Sequence, residues 1–167
     1  MKRNVVLASG FFDPPHRGHI AYLREAKKLG DWLVVTIHRD ECCVKKKGYC
    51  FMPLDDRIAV IEAIKYVDEV VVCSESCDLT TCDILRSVKP KIFAKGGDRT
   101  PENMPRSEVE VCEKLGIKVV YGVGGGKVQS SSWMSKTVRK ALTKLRHENL
   151  MTLMNSVKMT LEIGVLQ

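Results

Sequence analysis

The 167 residues are 44% hydrophobic and 28% charged, the balance of a water-soluble chain long enough for one domain with a buried core. No apolar run approaches the ~18 residues of a membrane-spanning helix. Met1-Lys2-Arg3-Asn4 enters a short apolar stretch without the longer apolar region and cleavage site of a secretory leader, so a cytoplasmic location is expected. The net charge of +7 is uneven: from Trp133 onward, six Lys or Arg stand against two Glu. A basic surplus suits anionic partners. The aromatics are sparse and do not interleave with the basic residues, so nucleic acid is not an expected partner.

In chain order, Val5-Val6-Leu7-Ala8 reads as a strand, and Ile20, Leu23, Ala26 and Leu29 recur at helical spacing. Between them lies Gly10-Phe11-Phe12-Asp13-Pro14-Pro15-His16-Arg17-Gly18-His19. Gly10 and Gly18 allow close backbone approach. His16 and His19, three apart, share a face where the helix begins. Helix N-termini offer unpaired N–H groups and positive potential, so backbone, imidazoles and helix end together describe a phosphate cradle.

Gly30 is expected to stop this helix. Trp32 to His38 is a near-continuous apolar run, as a parallel strand covered on both faces requires. Strand, helix and strand make a right-handed βαβ unit. Arg39 to Pro53 reads as a long polar connection carrying Lys45-Lys46-Lys47-Gly48, either a solvated cluster or a source of one phosphate-reaching lysine. Leu54 opens the next helix, with Asp55 or Asp56 near its N-cap. Arg57 sits in the first turn, where a cation opposes the helix dipole, held by an anion, paired with a nearby aspartate or exposed.

Tyr66 to Val72 turns into a third strand. Thr80 to Val88 is a helix ended by Lys89-Pro90. Lys91 to Ala94 is a fourth strand, followed by Lys95-Gly96-Gly97-Asp98, whose glycines admit close approach and whose aspartate offers a carboxylate to hydroxyls. Ser107 to Leu115 is a helix, and Ile117 to Tyr121 a fifth strand. Ser130, Ser131 and Ser132 then open a last helix after a glycine run, as caps or as a second anion site. The alternation gives an α/β, Rossmann-like, doubly wound sheet of about five parallel strands with a C-terminal helical extension. The expected division is residues 1–140 for the sheet domain and 141–167 for the tail. Val138, Leu142, Leu145, Leu153, Met154, Val157 and Leu161 make that tail amphipathic, its apolar face packing on the domain or on a homodimer partner, and a homodimer is expected.

Seven cysteines form no C-x-x-C pair. A disulfide framework is not expected in a chain of this size, and reduced thiols fit better. Cys73, Cys77 and Cys82 with a histidine form one conceivable zinc set, although structural zinc sites favour tighter spacing.

Gly10, Phe12, Asp13, His16, Gly18 and His19 match, position by position, the G-x-F-D-x-x-H-x-G-H signature, and the chain resembles the cytidylyltransferase-like nucleotidyltransferases over about residues 4–140. Lys95-Gly96-Gly97-Asp98, followed by Thr-Pro-Glu-Asn, resembles the heptose-phosphate adenylyltransferases. Tyr66-Val67-Asp68-Glu69-Val70 is similar to lipid- and teichoic-acid-type cytidylyltransferases, among them the glycerol-3-phosphate type. The glycine run before Ser130 departs from the lead-in of that glycerol-phosphate type.

The resemblance implies transfer of a nucleoside monophosphate from ATP or CTP to a small phosphorylated acceptor, a sugar or heptose phosphate or glycerol 3-phosphate, releasing pyrophosphate. It implies His16, His19 and Lys47 as catalytic residues. Gly10, Phe11, Phe12, Asp13, Gly18, Gly96, Gly97, Asp98 and Ser130 to Ser132 would bind the nucleotide, and Lys45 and Arg57 the substrate. Mg²⁺ would enter with the triphosphate, and no resident metal site is implied. FMN or phosphopantetheine adenylyl transfer and a non-catalytic nucleotide sensor are the alternatives. The incoming phosphate is already an anion, so the protein's task is alignment and charge stabilisation rather than making a nucleophile.

Overall fold

The computed structural model describes residues 3–74, 77–97, 99–126, 137 and 140–151. It divides into two compact units, Met1–Ser131 and Ser132–Gln167. The first unit holds five strands: β1 (Val5–Gly10), β2 (Trp32–Ile37), β3 (Glu69–Val72), β4 (Ile92–Gly96) and β5 (Lys118–Val123). All neighbours are parallel, in the order β3-β2-β1-β4-β5. The helices are α1 (Arg17–Lys27), α2 (Asp40–Lys47), α3 (Leu54–Glu62), α4 (Cys82–Val88) and α5 (Arg106–Leu115), with a 3₁₀ turn at Pro101–Asn103.

Alternate strand residues supply the two cores, as a period of two requires. Val6 and Ala8 of β1 join Leu33, Val35 and Ile37 of β2 beneath α1, with Tyr22, Leu23 and Ala26. On the other face, Leu7, Val34 and Phe93 meet Leu85 of α4 and Val111 of α5. Strand order reverses between β1 and β4, so the crevice beyond their carboxyl ends is the natural ligand position of such a sheet. The segment starting at Gly10 leaves β1 there, and Gly96-Gly97 leaves β4 beside it.

Several local expectations are corrected. Ile20 is 48% exposed, and Tyr22 takes its place on the buried face of α1. The helix ends at Lys27, and Gly30 is not a left-handed stop; a Cβ there would collide with the Asn4 carbonyl, so close approach of β1's lead-in demands the glycine. The connection after β2 is largely helical, as α2, and ends in Gly48 at φ 83°. Pro53 rather than an aspartate occupies the N-cap of α3. Helix α4 does end at Lys89 before Pro90, but Lys89 is left-handed at φ 47°.

In the second unit, residues 137 and 140–151 are helical where described. Leu142, Leu145 and Leu150 are exposed. The remaining apolar positions of the expected tail stripe, Val138, Leu153, Met154, Val157 and Leu161, lie outside the described residues. Among the described residues, no helix is long and apolar enough to cross a membrane.

Candidate functional site

At the end of β1 the chain turns sharply. Phe12 is left-handed at φ 49° and 1% exposed, so its ring folds back into the core beneath the strand end. A Cβ on Gly10 would lie 2.9 Å from that ring, which is why position 10 has none. A buried aromatic side chain in the left-handed region is costly, and such strain concentrates at functional turns. Phe12 then meets His19 edge to face, with centroids 4.8 Å apart.

His16 is the N-cap of α1. Its Nδ1 accepts from the Gly18 amide at 3.2 Å, and the Nδ1 of His19 accepts from the His16 amide at 3.2 Å. This reciprocal capping box uses imidazoles where serine and glutamate are usual. An Nδ1 that accepts a hydrogen bond puts the proton of a neutral imidazole on Nε2, so Nε2 is the donor nitrogen of each ring. The two rings stack 3.7 Å apart. Burial, then the repulsion a cationic ring would meet beside His16 and Lys47, pull the His19 pKa from 6.5 down to about 3. His19 is therefore a neutral donor at physiological pH, fixed at a helix N-terminus.

Asp13 is fully buried, and its carboxylate is taken up within the protein. It accepts from the amides of Phe51 and Met52, and from Lys47 Nζ at 2.7 Å. Lys47 also donates to the Asp13 carbonyl at 2.9 Å. It is thus not a swinging point charge but is docked on the motif by its own ion pair. Lys46 lies 4.3 Å over the Phe11 ring. Lys45, on the exposed side, donates to the Cys77 carbonyl at 2.9 Å.

Arg57 occupies the interior, not a substrate surface. It is 0% exposed. Its Nε donates to the Met52 carbonyl, its Nη1 to the carbonyls of Phe11 and His38, and its Nη2 to Asp40. The expected paired-aspartate reading applies, with Asp40 as partner, and the side chain acts as a positioning residue for the backbone of the motif.

On the β4 side, a Cβ on Gly97 would collide with the Gly125 carbonyl, so this glycine permits the loops after β4 and β5 to touch. Lys95 is buried, with its Nζ 2.6 Å from Glu108, whose other oxygen accepts from the Thr81 amide. Burial lowers the Lys95 pKa while Glu108 opposes the shift. Asp98 and Ser130 to Ser132 lie outside the described residues.

Three contributors were not singled out in the sequence. Tyr22 receives the Ser9 amide and donates to the Ala94 carbonyl at 2.8 Å, bridging β1 and β4 at the crevice; burial raises its pKa. Its offset from the recognised stripe of α1 hid it. His38, at the end of β2, stacks on Phe11 with centroids 4.4 Å apart, and burial lowers its pKa to about 4. Asp40 carries the charge opposite Arg57. The signal shared by His38 and Asp40 is position just past the carboxyl end of β2.

The cysteines also differ from expectation. Cys42 and Cys77 are joined in a disulfide, where reduced thiols were expected. Cys82 lies in the core under α4, away from any set with Cys73 and Cys77.

The model of the cytidylyltransferase-like family matches residues 7–145. The chain is 37% identical over 119 residues to the FAD synthase of Pyrococcus abyssi, covering 71% of this chain and 78% of that protein. It is 37% identical over 123 residues to the bifunctional protein HldE of Proteus mirabilis, covering 72% of this chain and 23% of HldE. The chain thus spans about a quarter of the HldE protein. A lipopolysaccharide core biosynthesis protein from Thermoplasma volcanium superposes with a TM-score of 0.60 at 34% identity, over 72% of this chain and 94% of that one.

Proposed function

The chain belongs to the cytidylyltransferase-like family, and on that premise we propose that it is a nucleotidyltransferase moving an adenylyl group from ATP to a small phosphorylated acceptor, with release of pyrophosphate. The observation that carries this reading is the pair of imidazoles at the N-terminus of α1, each with Nδ1 committed to a backbone amide and Nε2 as donor. Such donors do not need to move a proton. They stabilise charge on a phosphorus transition state and on the leaving pyrophosphate. Lys47 adds positive charge beside them. Asp98, Gly96 and Gly97 would hold the nucleoside, and the Ser130 to Ser132 stretch the outer phosphates.

Mg²⁺ is part of the proposal as a companion of the triphosphate. The Asp13 carboxylate is already filled by Lys47 and two amides, so phosphate oxygens rather than Asp13 would hold the ion.

The leading acceptor is a sugar or heptose phosphate, supported by Lys95-Gly96-Gly97-Asp98. FMN is a second reading, favoured because the chain covers 78% of the length of a FAD synthase relative. The deciding experiment is pyrophosphate release with ATP and CTP, each with Mg²⁺, against heptose 1-phosphate, glycerol 3-phosphate, FMN and phosphopantetheine. Acceptor-dependent release with ATP, lost in His16→Ala, is the expected result. Release with CTP alone would overturn adenylyl transfer, and nucleotide binding without release for any acceptor would favour a sensor.

A further inference from the structure

Beside the crevice, outside the imidazole pair, four soft donors converge. The ring nitrogen of His38 and the Sγ atoms of Cys42 and Cys73 lie within 4.8 Å of one another. Cys77 is bonded to Cys42, which adds a third sulfur to the same place. We propose that, in the reduced chain, His38, Cys42, Cys73 and Cys77 bind one Zn²⁺, and that the Cys42–Cys77 disulfide is the oxidised, metal-free form of the same site.

The spacing supports this. His38-x₃-Cys42 runs from the end of β2 into α2, and Cys73-x₃-Cys77 leaves the end of β3. Both gaps fall within the two to five residues usual between paired zinc ligands. Because β2 and β3 are parallel neighbours, both pairs arrive at the same edge of the sheet. Three sulfurs and an imidazole are a closed structural set that selects zinc over magnesium or calcium. Donors bound at ~2.3 Å to a tetrahedral ion stand about 3.8 Å apart, so His38, Cys42 and Cys73 need closing by only about an ångström, and the Cys77 sulfur, released from Cys42 on reduction, supplies the fourth corner.

Burial suits the role as well. Cys42 is 0% exposed, and His38 and Cys73 are each 5% exposed, while half-buried Cys77 leaves a route from solvent. The site's charge with zinc is −1. Arg39, donating to the Cys73 carbonyl, and Lys45, donating to the Cys77 carbonyl, lie alongside to offset it. The other sulfur-bearing group, Asp13, Cys43 and Cys50, is a poorer candidate, because Asp13 is filled by Lys47 and the Cys50 thiol donates to Asp40.

The interconversion balances as thiol–disulfide exchange. The half-buried Cys77 thiolate attacks a small-molecule disulfide, expelling one thiolate and forming a mixed disulfide. The buried Cys42 thiolate then attacks the Cys77 sulfur and displaces the second thiolate, closing the protein bridge. The small disulfide accepts both electrons, Zn²⁺ passes to solvent, and Cys73 takes up a proton. A dithiol reverses the sequence.

The test is Co²⁺ titration of the full chain, reduced with dithiothreitol and freed of reductant without air. One equivalent should bind with thiolate-to-cobalt charge-transfer bands and the intense visible bands of tetrahedral cobalt, and Zn²⁺ should displace it. Oxidation by a small disulfide should abolish binding, and re-reduction should restore it. Cys73→Ser should weaken Co²⁺ binding roughly tenfold or more and diminish the charge-transfer band, whereas Cys112→Ser should change neither. The oxidised and reduced wild-type comparison needs no variant to fold. Substoichiometric binding, a weak octahedral spectrum, equal binding in both redox states, or a folded Cys73→Ser chain that binds like wild type would each overturn the site.

Discussion

Replacing Arg57 separates two roles that a charged residue near a phosphate site can have. The guanidinium is fully buried and makes four hydrogen bonds, to the carbonyls of Met52, Phe11 and His38 and to Asp40. Bonds from a charged donor contribute about 1.5–3 kcal/mol each. Not all of that is lost in Arg57→Met, because the Asp40 side chain is 40% exposed and water replaces its partner. Phe11 and Met52 are only half-buried. A loss of about 3–5 kcal/mol remains, the range for breaking one side of a buried charged network. At ~2–4 °C per kcal/mol for a chain of this length, the melting temperature should fall by about 6–20 °C. Arg57→Lys keeps the charge but not the planar fork, and should lose about half as much. The assay is thermal unfolding by circular dichroism, paired with nucleotide binding by calorimetry. A drop in melting temperature under ~3 °C, with nucleotide affinity lost, would refute the positioning role and restore Arg57 as a ligand contact.

Three further outcomes follow from the site. His19→Ala should lower turnover at least a hundredfold, the scale of one transition-state donor at ~3 kcal/mol, while nucleotide Kd stays within a few-fold; steady-state kinetics with the productive acceptor checks it. His19 also sets an acid limit. Its folded pKa, about 3, lies below the ordinary 6.5, so the unfolded chain takes the proton first as pH falls. The stabilisation is complete above 6.5 and is lost between there and about 3. Urea unfolding at pH 7.5 and 5 should show wild type losing about 1–2 kcal/mol more than His19→Asn, and parallel losses would contradict it. Tyr22→Phe removes both the donor to Ala94 and the acceptor for Ser9, and should cost about 1–3 kcal/mol in urea unfolding with little change in fold.

What could be read from the sequence was whatever has a period or a punctuation mark. The five strands are short apolar runs bounded by glycine, proline or charge, and they were visible. The region from residue 39 to 53 was not, although the start of α3 at Leu54 was. Helix α2 is eight residues long, and only Cys42 and Cys43, adjacent rather than three or four apart, are buried in it. Its three lysines made it look like a loop. The amphipathic stripe of α1 was legible at Leu23 and Ala26, and at Leu29 just past its end, but not at its start, because Ile20 is apolar yet exposed while Tyr22 carries a hydroxyl yet is buried. The imidazole pair was legible as a pair, but its reciprocal use of Nδ1 depends on backbone geometry that no spacing reveals. The gathering of His38 and Cys42 with Cys73 and Cys77 required knowing that β2 and β3 are neighbours.

Asp13 and Arg57 show why charged residues mislead in such a reading. A carboxylate bound by two amides and a lysine, and a guanidinium bound by three carbonyls and a carboxylate, are satisfied by the same chemistry that a nucleotide would supply. Here they pin the two sides of one joint. Asp13, from the motif, holds the amides of Phe51 and Met52; Arg57, from α3, holds the carbonyls of Phe11 and Met52. Met52 is gripped on its N–H by one residue and on its C=O by the other. Losing either side should release the residue that the other needs in place. Asp13→Asn and Arg57→Met should therefore couple, with the double variant losing less stability than the singles together, by about 1 kcal/mol or more in a urea-unfolding cycle. Additivity to within ~0.3 kcal/mol would mean that the two charges hold the motif independently.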